Sequence, residues 1–162
     1  IRHNYELNPF SLVNSNERSF FWRLSSIENI SFFSQDNLVK NSELMNLFEL
    51  FDMHDLLDVP YMALSSGNKR KLSIIRALLK KPKILMLDEA SSTLDIESKL
   101  NFQTKLLELR KANLVDLIIF TSHSIDEIAK IGSRAISLKD GQIFKDININ
   151  PDMNIEQIKK IL

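Results

Sequence analysis

In ILMLDE, residues 84–89, four apolar residues run directly into two adjacent carboxylates, Asp88 and Glu89. A short, continuously apolar run reads as a strand buried in a parallel sheet, and open α/β sheets collect ligands at the carboxyl ends of their strands. Acids placed there can hold Mg²⁺ and polarise a water molecule. Two surface acids at a strand-to-loop junction are an equally ordinary reading of the pair alone. A second group lies in LSSGNKRKL, residues 64–72. Ser65 and Gly67 stand just before a helix, where free backbone N–H groups, a hydroxyl and the helix dipole favour an anion. Gly67 would let the backbone approach a phosphate closely. The simpler alternative is a serine N-cap. In the third group, IIFTSHS, residues 118–124, His123 follows another apolar run. An imidazole there can bond a phosphate oxygen, although a lone histidine after a strand is commonly structural.

The elements that must position these groups follow from periodicity. Residues 1–35 are mixed, with aromatics at Phe20, Phe21 and Trp22. Helical spacing of Leu44, Met45, Leu47, Phe48 and Phe51 predicts a helix from Ser42 to about Asp55. A second helix is expected over Asn68–Lys80, ended by Pro82. Ile84–Leu87 and Leu117–Thr121 read as strands buried on both faces, and 96–111 and Ser124–Ile131 as helices. Arg134–Leu138 and Gln142–Phe144 flank Asp140-Gly141, a hairpin signal. The tail is expected to open a short helix at Asn150-Pro151. Strands alternating with helices make the chain α/β, a covered, mostly parallel sheet with an antiparallel edge.

Composition narrows the classes. The 162 residues suffice for one domain with a core, and 44% are hydrophobic. Lys plus Arg and Asp plus Glu number 21 each, so no net field points to nucleic acid. Without cysteine there are no disulfides or thiolate metal sites. No run approaches the roughly 18 apolar residues of a membrane span.

The order of the groups is more specific than any one of them. A Ser-x-Gly helix start, a strand ending Asp-Glu, an SSTLD turn and a strand leading to His resemble the nucleotide-binding domain of ATP-binding cassette (ABC) proteins. LSSGN resembles the family's signature loop, ILMLDE its Walker B strand, STLD its D-loop and TSH its switch histidine. The resemblance runs from about Leu24 to Phe144. It implies a P-loop NTPase-like fold with a helical subdomain over about 20–80, a core over about 81–147, and a C-terminal helix over 148–162. It implies ATP and Mg²⁺ as cofactors. Asp88 would hold Mg²⁺, through water. Glu89 would be the general base, and His123 would contact the γ-phosphate. Ser65, Ser66, Gly67 and Asn68 would bind the nucleotide of a second ATPase domain, with Ser92 and Asp95 at the seam. The implied setting is the cytoplasmic face of a membrane, beside a permease subunit and away from nucleic acid.

Departures from the family pattern are specific. Ser66 replaces a glycine, Asn68 a glutamine and Ala90 a proline. The Q-loop glutamine has no counterpart; Asn14, Asn16 and Glu17 are its candidates. ERSFFWRLS resembles a stretch of exporter-type subunits and leans toward export. Nothing matches Gly-x-x-x-x-Gly-Lys-Ser/Thr, the phosphate-cradling loop, and position 1 is not Met. The expectation is a cassette cut short of its N-terminal part, with a protein that evolved without the loop left open as the alternative; it would be an ATPase in the full-length protein and inactive as residues 1–162 alone. Two alternatives stay open: a soluble ABC ATPase of translation or DNA repair, and a non-catalytic ABC-like regulatory module.

Overall fold

The computed structural model describes residues 9–14, 19–33, 42–150 and 152–161. The chain forms two compact units, Ile1–Thr121 and Ser122–Leu162. In the first, β1 (Phe10–Asn14), β2 (Ile84–Asp88) and β3 (Leu117–Phe120) form a parallel sheet in the order β1-β2-β3. Asn14 pairs with Asp88, and Leu87 with Phe120, so the strands finish at one edge.

Among the described residues this unit has four α-helices: α1 (Ser26–Phe33), α2 (Ser42–Leu50), α3 (Ser66–Leu78) and α4 (Ile96–Lys111). The first helix opens with a capping box, in which the Glu28 carboxylate accepts the Ser25 amide at 2.7 Å and the Ser25 hydroxyl accepts the Glu28 amide. Asn29 is fully buried; its amide donates to the carbonyls of Phe21, Leu24 and Ser25 and so holds the aromatic turn. That turn splits the aromatic cluster. Phe20 is buried and stacks on Tyr61 at 4.7 Å under the Arg76 guanidinium, whereas Phe21 and Trp22 are exposed.

The second helix is shorter than periodicity predicts. Asp52 adopts φ 52° and ends it; its amide bonds to the Glu49 carbonyl and that of Met53 to Phe48. This is the left-handed stop of a Schellman turn, and a 3₁₀ turn, His54–Leu56, follows. Helix α3 starts two residues earlier than expected, with Ser65 as its cap, and ends at Leu78 before Lys81 at φ 47°.

Neither apolar strand is buried on both faces, which corrects the sequence reading. Leu85 and Leu87 are buried with Ser11 and Val13, and α3 packs on this side of β1, where the Ser11 hydroxyl donates to the Ala77 carbonyl. On the other face Phe10, Leu12, Leu117 and Ile119 are each 45% exposed or more, beside half-buried Ile84 and Met86. Parallel strands read as continuous apolar runs because both faces call for cover, and here one face has it.

The second unit holds α5 (Ile125–Ile131), β4 (Arg134–Lys139), β5 (Gln142–Asn148) and α6 (Ile155–Ile161). The hairpin turns at Asp140 and Gly141, φ 52° and 76°, as Asp-Gly predicts. It is a two-stranded sheet of its own, which corrects the expected antiparallel edge. Its hydrophobic contacts run instead to the helices, around Ala135, Ile149 and Ile158. The last helix opens at Asn154 and not at Asn150: Asn154 and Gln157 exchange side-chain-to-amide bonds, both 2.9 Å.

Candidate functional site

Asp88 ends β2 at the open carboxyl edge of the sheet and is exposed. Its Oδ1 accepts the Thr121 hydroxyl at 2.8 Å, and the same hydroxyl oxygen accepts the Glu89 amide at 2.9 Å. The Thr121 amide in turn donates to the Leu87 carbonyl at 3.0 Å, so the threonine is fixed by continuation of the β2–β3 pairing. Glu89 has φ 46°, a left-handed conformation that costs a non-glycine residue about 1–2 kcal/mol. Strain of this kind persists where the surroundings over-determine it, commonly at functional positions. The Glu89 carbonyl accepts both the amide and the hydroxyl of Ser92, at 3.1 and 2.8 Å, which closes the turn after the strand.

Asp95 caps α4, accepting the Ser98 amide and the Ser98 hydroxyl, both at 2.8 Å. The Ser98 amide, then its hydroxyl, hold the Asp95 carboxyl below the usual carboxylate range. Ser65 caps α3 in the same way, its hydroxyl accepting the Asn68 amide at 3.2 Å. That bond leaves the hydroxyl its own proton to donate. Ser66 and Asn68 lie in the first turn, Ser66 exposed and Asn68 half-buried. Gly67 is buried, and a Cβ there would stand 3.1 Å from Ser98 Oγ and 3.3 Å from Ser98 Cβ. The glycine therefore lets the first turns of α3 and α4 meet. A cavity of about 170 Å³ opens between them, lined by Ser65, Gly67, Asn68, Lys71, Glu97 and Ser98 among others. Burial lowers the Lys71 pKa, Asp52 opposes the shift and Lys105 adds to it.

In the second unit, His123 is exposed on the loop that precedes α5. Ser122 and Ser124 on either side of it are hydrogen-bonded to Glu127, which is 2% exposed. Of the Q-loop candidates, Asn14 ends β1 beside Asp88, and its carbonyl accepts the Arg70 guanidinium. Asn16 and Glu17 lie outside the described residues.

The family model described as ABC transporter matches residues 1–92. The chain belongs to the ABC transporter family. Among its ABC relatives, the molybdenum import ATP-binding protein ModC of Haemophilus ducreyi is 38% identical over 114 residues, 69% of this chain and 32% of ModC. The energy-coupling factor transporter ATP-binding protein EcfA of Malacoplasma penetrans is 30% identical over 139 residues, 83% of this chain and 47% of EcfA. The solved structure of cbiO1 from Clostridium perfringens, part of the ABC transporter complex cbiONQ, superposes with a TM-score of 0.77 at 23% identity, covering 86% of this chain and 57% of cbiO1. The ABC chain thus spans about a third to a half of the length of these two curated relatives.

Three residues were not singled out from the sequence: Thr121 beside Asp88 and Ser98 beside Asp95 and Gly67 in the first unit, and Glu127 bonded to the serines flanking His123 in the second. Thr121 stood in the quoted IIFTSHS stretch, one residue past the strand, and a hydroxyl at a strand end was the available signal. Ser98 and Glu127 each fall three residues after a cap, Asp95 and Ser124, which is the spacing of a capping box.

Proposed function

We propose that the chain is the signature-to-switch portion of an ABC transporter ATPase subunit, which hydrolyses ATP to drive a membrane permease. The observation that carries the reading is the strained Glu89 beside Asp88, both bonded to Thr121 at the carboxyl edge of a parallel sheet. The donor set suits Mg²⁺ bound largely through water and phosphate: Asp88 offers one carboxylate, and no cluster of three His, Cys, Asp or Glu occurs among the described residues. Bound MgATP would supply the transferable phosphoryl group and the metal's charge neutralisation.

In this reading Asp88 would help hold Mg²⁺, and Glu89 would take the proton of the attacking water. His123 donates to the γ-phosphate. Ser65 and Ser66, with the Gly67 amide and the Asn68 side chain, act on the nucleotide of a second ATPase domain, at the positive end of α3. Ser92 and Asp95 shape the turn at the seam of that dimer. The permease meets the exposed Phe21, Trp22, Phe32 and Met62, where Phe21 and Phe32 lie edge to face at 4.5 Å and the Met62 amide binds the Trp22 carbonyl. Such a surface suits an apolar segment of a membrane partner. No helix among the described residues is long and apolar enough to cross a membrane, which agrees with a subunit held at the cytoplasmic face through that partner.

Glu89→Gln in the full-length protein tests the reading. ATP binding should persist while turnover falls roughly 10²–10⁴-fold, and gel filtration with ATP should show a trapped dimer. Hydrolysis at the wild-type rate would remove Glu89 as the base. The same protein, reconstituted with its permease in vesicles, reports the direction of transport, for which ERSFFWRLS points to export and ModC is an import protein.

A further inference from the structure

We propose that Glu127 is a positioning residue for His123, acting through the two serines that flank it; this rests on the proposed role of His123. Glu127 is 2% exposed. Its Oε2 accepts the Ser122 hydroxyl at 2.6 Å, while the Ser122 oxygen accepts the Ser124 amide at 3.0 Å. The Glu127 amide donates to Ser124 Oγ at 3.4 Å. Both neighbours of the exposed imidazole are therefore tied to one buried residue.

The arrangement differs from an ordinary capping box. There the glutamate at the third helical position reaches the cap residue's amide directly. Here the Ser122 hydroxyl is inserted between them: its oxygen accepts the Ser124 amide and its O–H donates to the carboxylate. These bonds hold the residues on either side of the exposed His123. Burying a carboxylate costs free energy unless its bonds are made. The helix does not depend on it, because α5 is anchored through Ile125, Ile128 and Ala129 to the core around Ala135, Ile149 and Ile158. What the carboxylate adds is a short, directional bond that fixes the loop.

The test uses the full-length protein. Glu127→Ala should lower kcat about tenfold, the loss of one hydrogen bond to a charged group, with KM for ATP changed less than about twofold. Glu127→Gln keeps an acceptor for Ser122 and should restore most of the rate. Ser122→Ala should match Glu127→Ala, with the double variant no worse, since the two residues act through one bond. In a His123→Ala background, Glu127→Ala should cost nothing further; an equal loss in both backgrounds would make the role one of general folding and overturn the proposal. If Glu127→Ala fails to fold, Ser122→Ala in the two backgrounds carries the same comparison. Amide hydrogen exchange separates this from the functional reading. The Ser124 amide should exchange about tenfold faster in Ser122→Ala, while those of Ile128 and Gly132 keep wild-type protection. Wild-type turnover by His123→Ala would sink the role of the histidine alone, and unchanged Ser124 protection would sink the positioning.

Discussion

Thr121 donates its hydroxyl to Asp88 at 2.8 Å across the carboxyl ends of two neighbouring parallel strands. The same oxygen accepts the Glu89 amide, so one small side chain sets the direction of the Asp88 carboxylate, proposed to hold the metal, and the backbone of Glu89, the proposed base. Thr121→Val keeps the shape and removes both bonds. Turnover should fall roughly tenfold, about 1.4 kcal/mol in the barrier, and the Mg²⁺ concentration for half-maximal rate should rise. A steady-state Mg²⁺ titration checks this; an unchanged profile would mean that Asp88 is oriented without the threonine.

Glu89 at φ 46° leads to an inverted order of stability. Glycine accepts a left-handed conformation and alanine does not, so Glu89→Gly should be more stable than Glu89→Ala by about 1 kcal/mol. Both should be equally inactive. Thermal melts of the two variants decide it, and alanine as the more stable would show that no strain is held there.

Gly67 presents a contest between helix propensity and packing. Alanine is favoured over glycine inside a helix by about 1 kcal/mol, but its Cβ would stand 3.1 Å from a Ser98 hydroxyl that Asp95 holds in place. Gly67→Ala should therefore lower Tm. In a Ser98→Ala background the hydroxyl is gone and the loss should shrink. A gain in Tm from Gly67→Ala alone would contradict the close approach of α3 and α4.

Asp95 makes stability depend on pH in a definite direction. Its folded pKa is depressed by the Ser98 amide and hydroxyl, so the contribution is fully present above the unfolded value, about 4. It is lost as pH falls through the lower, folded value. Asp95→Asn can still cap the helix but does not titrate in this range. The Tm difference between wild type and Asp95→Asn should shrink as pH drops below about 4. A difference constant from pH 7 to 2 would refute the assignment.

Local chemistry made much of this protein readable from its residues. The Asp140-Gly141 hairpin and the helix starts at Ser65, Asp95 and Ser124 depend on side chains and backbone within a few positions of one another. So did the order of motifs around Asp88, Glu89 and His123, which placed the chain among ABC proteins. The misses arose where a local signal was weak or where distant segments met. Strand β1 and helix α1 sit in a stretch of mixed composition, and the register of β1 against β2, which puts Asn14 beside Asp88, spans most of the first unit. The continuous apolar runs of β2 and β3 could not tell which face α3 covers and which stays open at Phe10, Leu12, Leu117 and Ile119. Only the fold brings Thr121 to Asp88 and Ser98 to Gly67, because those contacts join residues that no spacing rule connects. Motif order identifies the chemistry, and strand register and helix packing aim it.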